Sequence, residues 1–213
     1  IKQPQVGESW EISDVPNNES IVSSGSDTGK TLNELVIKYK ASLLGEENYK
    51  RFGHHFPLLV KFIDARDDLS VQVHPNDQLA KVRHQSVGKT EMWYIIDNNN
   101  GKGHLCPGFK KKITSNEFTS LIKEDKISDV LANYAVQPGD VFYLPAGRIH
   151  SIGAGCFLVE IQQTSNITYR IYDYNRTDKN GLSLFVARLD LRNDRSVFAC
   201  LIFIYHVVLI QTN

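Results

Sequence analysis

Residues 139–150 read GDVFYLPAGRIH. Gly139 turns the chain into an apolar strand, Pro145 and Gly147 force a tight turn, and His150 opens the returning strand with its side chain toward the interior of a barrel. Working outward, SVQVHPND places Gln72 and His74 two apart on a β-type run, so their side chains leave the same face. Glu91 opens another strand-like run in GKTEMWYII. Two imidazoles, one carboxylate and one amide oxygen form a four-ligand set for a divalent cation. The set carries a single negative charge, so a Zn²⁺ held by Gln72, His74, Glu91 and His150 keeps a net positive charge and can polarise a substrate oxygen.

The remaining pattern frames these residues with short strands. Residues 1–30 are polar and turn-rich around Trp10. Thr31 and Glu34 form a capping-box signal before Leu32, Leu35, Val36, Tyr39 and Leu43, which predicts one helix to about Gly45 with these residues on its inner face. Strands are predicted over 56–63, 69–74, 92–96, 141–144, 157–162 and 168–172, and a short helix over 78–84 behind an Asn76-Asp77 cap. Asn-Asn-Asn-Gly at 98–101 is a hairpin signal. Thr114 and Glu117 start a helix with Phe118, Leu121 and Ile122 inward, and a further short helix is expected over 127–134. Many short strands with Gly and Pro turns predict a mainly β chain, a β-barrel or jelly roll with short helical insertions.

With 213 residues, 41% apolar and 23% charged, the composition is that of a globular protein with one sizeable core. Lysine plus arginine equals aspartate plus glutamate, at 24 each, so no global field favours nucleic acid or an anionic membrane. An anionic substrate must meet a local basic cluster. Cys106, Cys156 and Cys200 are odd in number and far apart, with no C-x-x-C, which points to a reducing cytoplasm. Residue 1 is not followed by a signal peptide pattern. Met92 is the only methionine, so Ile1 reads as an internal position of the translated protein. Residues 197–210, VFACLIFIYHVVLI, are nearly all apolar but shorter than the roughly 20 a membrane span needs.

The G-x5-P-x-G-x2-H spacing of 139–150 resembles the second motif of the cupin superfamily, which implies a jelly-roll β-barrel. The superfamily's first motif usually has H-x-H followed closely by Glu; here Gln72 stands at the first His and Glu91 lies further on, past an inserted helix. With FPLLVKFIDA, LSVQVHPND, GKTEMWYII, VFYLPAGRIHSIG and EIQQTSNITYRIYDYNR in that order, the chain resembles type I mannose-6-phosphate isomerase (phosphomannose isomerase) in its shorter bacterial form, from about Val6 to Gly181. The resemblance implies one Zn²⁺ per chain on Gln72, His74, Glu91 and His150, and the reversible interconversion of mannose 6-phosphate and fructose 6-phosphate. It also implies active-site roles for Arg170, Lys89 and Glu160, and contacts from Ser70 and Lys61 to a small sugar phosphate. The enzyme is expected as a monomer or homodimer.

That chemistry moves a proton between two carbons through an enediol or enediolate, and needs a base and positive charge near the developing oxyanion. Arg170 is always protonated and forks onto oxygen pairs; its plainer role is a structural pair with Asp173. Glu160, His84, Lys89 and a water on the metal are all candidates for the base. Glu160 can equally be a buried structural carboxylate, and Lys61 can snorkel from its strand. Two other readings stay open: a truncated or degenerate cupin that binds a sugar phosphate without catalysis, and a redox cupin.

The resemblance implies a cupin catalytic domain over 1–181, with a segment expected before Ile1. Family members continue past Gly181 into a second β-domain, which 182–213 does not match. A change of reading frame near Gly181 is one expectation, tested by translating the source DNA in its other two frames.

Overall fold

The computed structural model describes residues 6–177, so the expectations for 182–213, the apolar run at 197–210 and Cys200 lie outside the described residues. Its ten strands are β1 (Glu8–Ile12), β2 (Leu58–Asp64), β3 (Val71–Val73), β4 (Glu91–Asp97), β5 (His104–Cys106), β6 (Tyr134–Ala135), β7 (Val141–Leu144), β8 (Ser151–Ile152), β9 (Phe157–Gln163) and β10 (Tyr169–Tyr172). The helices among them are α1 (Leu32–Tyr39), α2 (Ala41–Leu44), α3 (Glu46–Phe52), α4 (Asp77–His84) and α5 (Ser115–Lys123), with a 3₁₀ turn at Ile127–Val130. None of the described helices is long and apolar enough to cross a membrane.

The strands form a five-stranded sheet in the order β1-β2-β9-β4-β7, a two-stranded sheet β10-β3 and a three-stranded sheet β6-β5-β8. An isolated bridge from Gln72 to His150 ties the second sheet to the residue just before β8. The described strands are therefore mostly sheet with few helices, and their ladders do not close into a barrel.

Burial alternates along the central strands: in β9, Leu158, Glu160 and Gln162 are buried while their neighbours are half-buried. The antiparallel register lines these inward residues up in rows across the sheet. Ile63, Leu158 and Ile95 make one row; Lys61, Glu160, Trp93 and Phe142 the next; Leu59, Gln162, Glu91 and Leu144 the third. The inner face thus passes from wholly apolar to partly charged along the strand direction. The apolar end joins Leu105 of β5 and Ile152 of β8 in one core. A second core lies on the other side of β3 and β10, where Val71, Val73 and Ile171 pack with Phe118 of α5 and Ile127. Because residues alternate along a strand, Gln72, His74 and Arg170 turn the opposite way.

Three sequence expectations need correction. The single helix to Gly45 breaks at Lys40, whose φ of 51° and ψ of −127° are incompatible with a helix. Tyr39 and Leu43 are consequently exposed, at 39% and 42%, and Leu44 is the buried residue of α2. The 98–101 turn does form, with Asn99, Asn100 and Gly101 all at positive φ. It does not make a hairpin, because both edges of β4 are taken by β9 and β7, and the chain passes to β5 in another sheet. The helix expected over 127–134 is one 3₁₀ turn followed by β6. Both capping boxes, Thr31 with Glu34 and Thr114 with Glu117, are present.

Candidate metal centre

The polar ends of the two layers face each other at His74, Glu91 and His150, all buried, with their ligand atoms within 4.8 Å of one another. Glu91 comes from the first residue of β4, His74 from the residue after β3, and His150 from the bridge opposite Gln72. Pro75 ends β3, and Gly147 N–H donates to the His74 carbonyl at 2.8 Å, so the turn in residues 145–147 holds the two histidine segments together.

The nitrogen inventory decides what the cluster can hold. His74 Nδ1 lies 3.0 Å from the Ile167 carbonyl and His150 Nδ1 lies 2.9 Å from the Arg148 carbonyl. A carbonyl only accepts, so each Nδ1 carries the proton and each Nε2 presents a lone pair. The two Nε2 atoms are 3.1 Å apart and lie 3.2 and 3.3 Å from the Glu91 oxygens. Three electron-rich groups therefore converge with no proton between them, and both Glu91 oxygens are buried without a hydrogen-bond donor. Lys89 Nζ is 2.6 Å from Glu91 Oε1, outside hydrogen-bond geometry but a close charge contact, and 3.3 Å from His74 Nε2. Two imidazole nitrogens and a carboxylate fit a divalent cation of borderline softness. Gln72 presents Nε2 to His150 Nε2 at 3.4 Å, so its amide must turn about its last bond to offer the oxygen.

Burial dominates the electrostatics. It pushes His74 down to about 4 and lowers His150 as well, keeping both rings neutral and able to ligate. Burial opposes the ionisation of Glu91, but the positive charge of His74 when that ring is protonated, and of the Lys89 ammonium throughout, holds its carboxyl well below the usual range. Lys89 is also buried, and Glu91 with Glu160 keeps it charged, its pKa raised. Glu160 is pushed up by burial and by the charge of Glu91.

The structure brings most of the expected site residues to this end of the molecule. Glu160 Oε2 accepts from Trp93 Nε1 at 2.9 Å, and its Oε1 lies 3.4 Å from Lys61 Nζ. Lys61 does not snorkel: it is 7% exposed and is also 3.8 Å from Glu8 and over the Trp10 ring at 4.7 Å. Arg170 pairs across the strands with Gln72, and its Nε donates to Ser70 Oγ at 3.0 Å. Its suggested structural partner is engaged elsewhere, since Asp173 pairs with Arg176. His84 is exposed at the end of α4, where its Nε2 lies 2.7 Å from the Tyr169 hydroxyl. What residue types alone did not reveal are the Ile167 and Arg148 carbonyls and Gln162, which stands directly opposite Glu91. The alternation of Leu158, Glu160 and Gln162 is the signal that marks the last as inward.

The sequence model of the family described as phosphomannose isomerase type I, catalytic domain, matches residues 2–119. The chain is 41% identical over 182 residues to the mannose-6-phosphate isomerase ManA of Bacillus subtilis (strain 168), covering 85% of this chain and 56% of that protein. It is 38% identical over 181 residues to a mannose-6-phosphate isomerase of Streptococcus mutans, covering 85% and 55%. The crystal structure of the mannose 6-phosphate isomerase from Bacillus subtilis superposes with a TM-score of 0.74 at 36% identity, over 83% of this chain and 55% of that one. The chain thus spans about half the length of the relatives it matches.

Proposed function

This chain belongs to the phosphomannose isomerase type I family, and from that premise we propose that it interconverts mannose 6-phosphate and fructose 6-phosphate through an enediol or enediolate. The observation that carries the reading is the buried convergence of His74 Nε2, His150 Nε2 and the Glu91 carboxylate. One Zn²⁺ per chain would be held by these three residues and by Gln72 once its amide has turned. A bound Zn²⁺ supplies positive charge that polarises or orients substrate oxygens.

The chain's own groups do the rest. Arg170, fixed by Ser70, offers its guanidinium to the oxyanion or the phosphate. Ser70 and Lys61 are the further sugar-phosphate contacts, although Glu160 and Glu8 already oppose the Lys61 ammonium. Proton transfer falls to Glu160 or Lys89, the titratable pair buried beside the cluster, and comparing Glu160→Gln with Lys89→Met decides between them. His84, exposed and engaged with the Tyr169 hydroxyl, is the less favoured candidate. The two facing β-layers support a cupin-type jelly roll for the catalytic domain. Cys106 and Cys156, buried and unbridged, suit a reducing cytoplasm, and we take the protein to be a monomer or homodimer.

The test measures metal content together with mannose 6-phosphate turnover, before and after chelation and after zinc is restored. Zinc at one equivalent with chelator-sensitive turnover is the expected result. Bound zinc without turnover selects the non-catalytic sugar-phosphate binder, and iron with oxygen consumption selects a redox cupin.

A further inference from the structure

Three buried acceptor atoms without a hydrogen-bond donor sit on one row of the inner face: Oε1 and Oε2 of Glu91 and Oε1 of Gln162. A cation accounts for the first two. The third has a separate origin that its own contacts make clear. Gln162 is 1% exposed, and its Nε2 reaches the Ser165 carbonyl at 2.5 Å and the Gln163 carbonyl at 2.9 Å. Both partners only accept, so the amine end must face them and the oxygen must be the atom left over. The side chain is therefore pinned at its nitrogen, with an acceptor held in place and nothing donating to it. Native proteins rarely leave such an atom unpaired, and a water, an ion or a ligand hydroxyl completes it.

We propose that Gln162 is a further substrate-contacting residue of this site, its Oε1 accepting a hydrogen bond from a hydroxyl of the bound sugar phosphate. The inference rests on the isomerase reading and adds to it a specificity element. Gln162 stands directly opposite Glu91 on the neighbouring strand, where facing side chains lie about 5 Å apart at Cβ. A hydroxyl close to the metal carboxylate is therefore within its reach. A pinned acceptor of this kind favours a sugar that has a hydroxyl at that place over one that lacks it, because the deoxy sugar leaves the oxygen buried and unpaired.

The experiment compares binding of mannose 6-phosphate and its single-deoxy analogues to the wild-type protein and to Gln162→Met, by calorimetry on zinc-loaded protein. One analogue should bind the wild type about tenfold more weakly than the parent, the worth of one hydrogen bond to a buried acceptor. Gln162→Met should bind that analogue and the parent equally, with zinc content unchanged. A merely structural glutamine would weaken every ligand alike and leave the discrimination intact, and that result overturns the proposal. So does a loss of zinc in Gln162→Met, which would make Gln162 a metal contact, or a wild type that treats all the analogues as the parent. Should Gln162→Met not fold, Gln162→Asn, which pulls the oxygen back by one methylene, reads the same discrimination. A wild-type protein that binds no mannose 6-phosphate at all would sink the isomerase reading itself, a result separate from these.

Discussion

Breaking the Lys89–Glu91 contact one side at a time, and then on both sides, should show that the two residues act as a unit. Their charges are 2.6 Å apart, on side chains 5% and 0% exposed. At an effective dielectric constant near 20, unit charges at that distance attract by roughly 6 kcal/mol. Most of that offsets the desolvation of the two ions, so the net stabilisation is small while the penalty for orphaning either is large, about 3–5 kcal/mol. In chelated protein, Glu91→Gln leaves an ammonium buried without its nearest counter-charge, and Lys89→Met leaves a carboxylate without its own. Each should lower the unfolding midpoint by about 10 °C for a chain of this size. The double variant buries neither charge and should lose far less than the sum, with a coupling on the order of 3 kcal/mol. Urea unfolding at pH 7.5 with chelator measures all four corners of the cycle. Additivity within about 1 kcal/mol would mean that the close contact carries no weight, and the electrostatic account of the cluster would be wrong.

Three further outcomes can be checked. In chelated protein the unfolded chain takes up protons near the ordinary histidine value of 6.5, while native His74 resists until about 4. Stability should therefore be complete above about 6.5, decline as the pH falls through that window, and level off below about 4 as far as His74 is concerned; denaturant midpoints across a pH series measure it, and a flat profile contradicts the burial argument. Arg170→Ala should lower turnover by about 10²–10³-fold, the worth of one preorganised donor, while zinc content stays at the wild-type level; unchanged turnover removes Arg170 from the mechanism. Gly88→Ala places a Cβ 2.7 Å from the Asp77 nitrogen and 2.9 Å from the Pro75 oxygen, both backbone atoms. Since Lys89 N–H donates to that same carbonyl, the substitution should weaken zinc retention during dialysis, and full retention would show that the segment yields without cost.

The parts legible in the sequence were those set by local periodicity and turn chemistry. Gln72 and His74 do share a face because a strand alternates, and the Thr31 and Thr114 capping boxes start helices because their hydroxyls and the Glu34 and Glu117 carboxylates answer one another within four residues. What escaped the sequence was set by partners distant along the chain. The Asn98–Gly101 turn carries hairpin chemistry, yet whether β5 returns beside β4 depends on β7 and β9 occupying both edges first. Arg170 finds Ser70, a hundred residues away, rather than Asp173 three residues on. No glycine or proline stands within four residues of Lys40 to announce a break in an otherwise continuous apolar pattern. The orienting carbonyls of Ile167 and Arg148 belong to the backbone, which residue types do not record.

The three convergent ligands come from different sheets: Glu91 from the five-stranded layer, His74 from the end of the short β3–β10 pair, and His150 from the approach to β8. An ion held by all three would therefore act as a rivet between the described sheets, contributing folding free energy. At a free metal concentration a hundred times its dissociation constant, such a rivet adds about 2.7 kcal/mol to the folded state. Loss of the metal would then leave the chain more often opened to proteases.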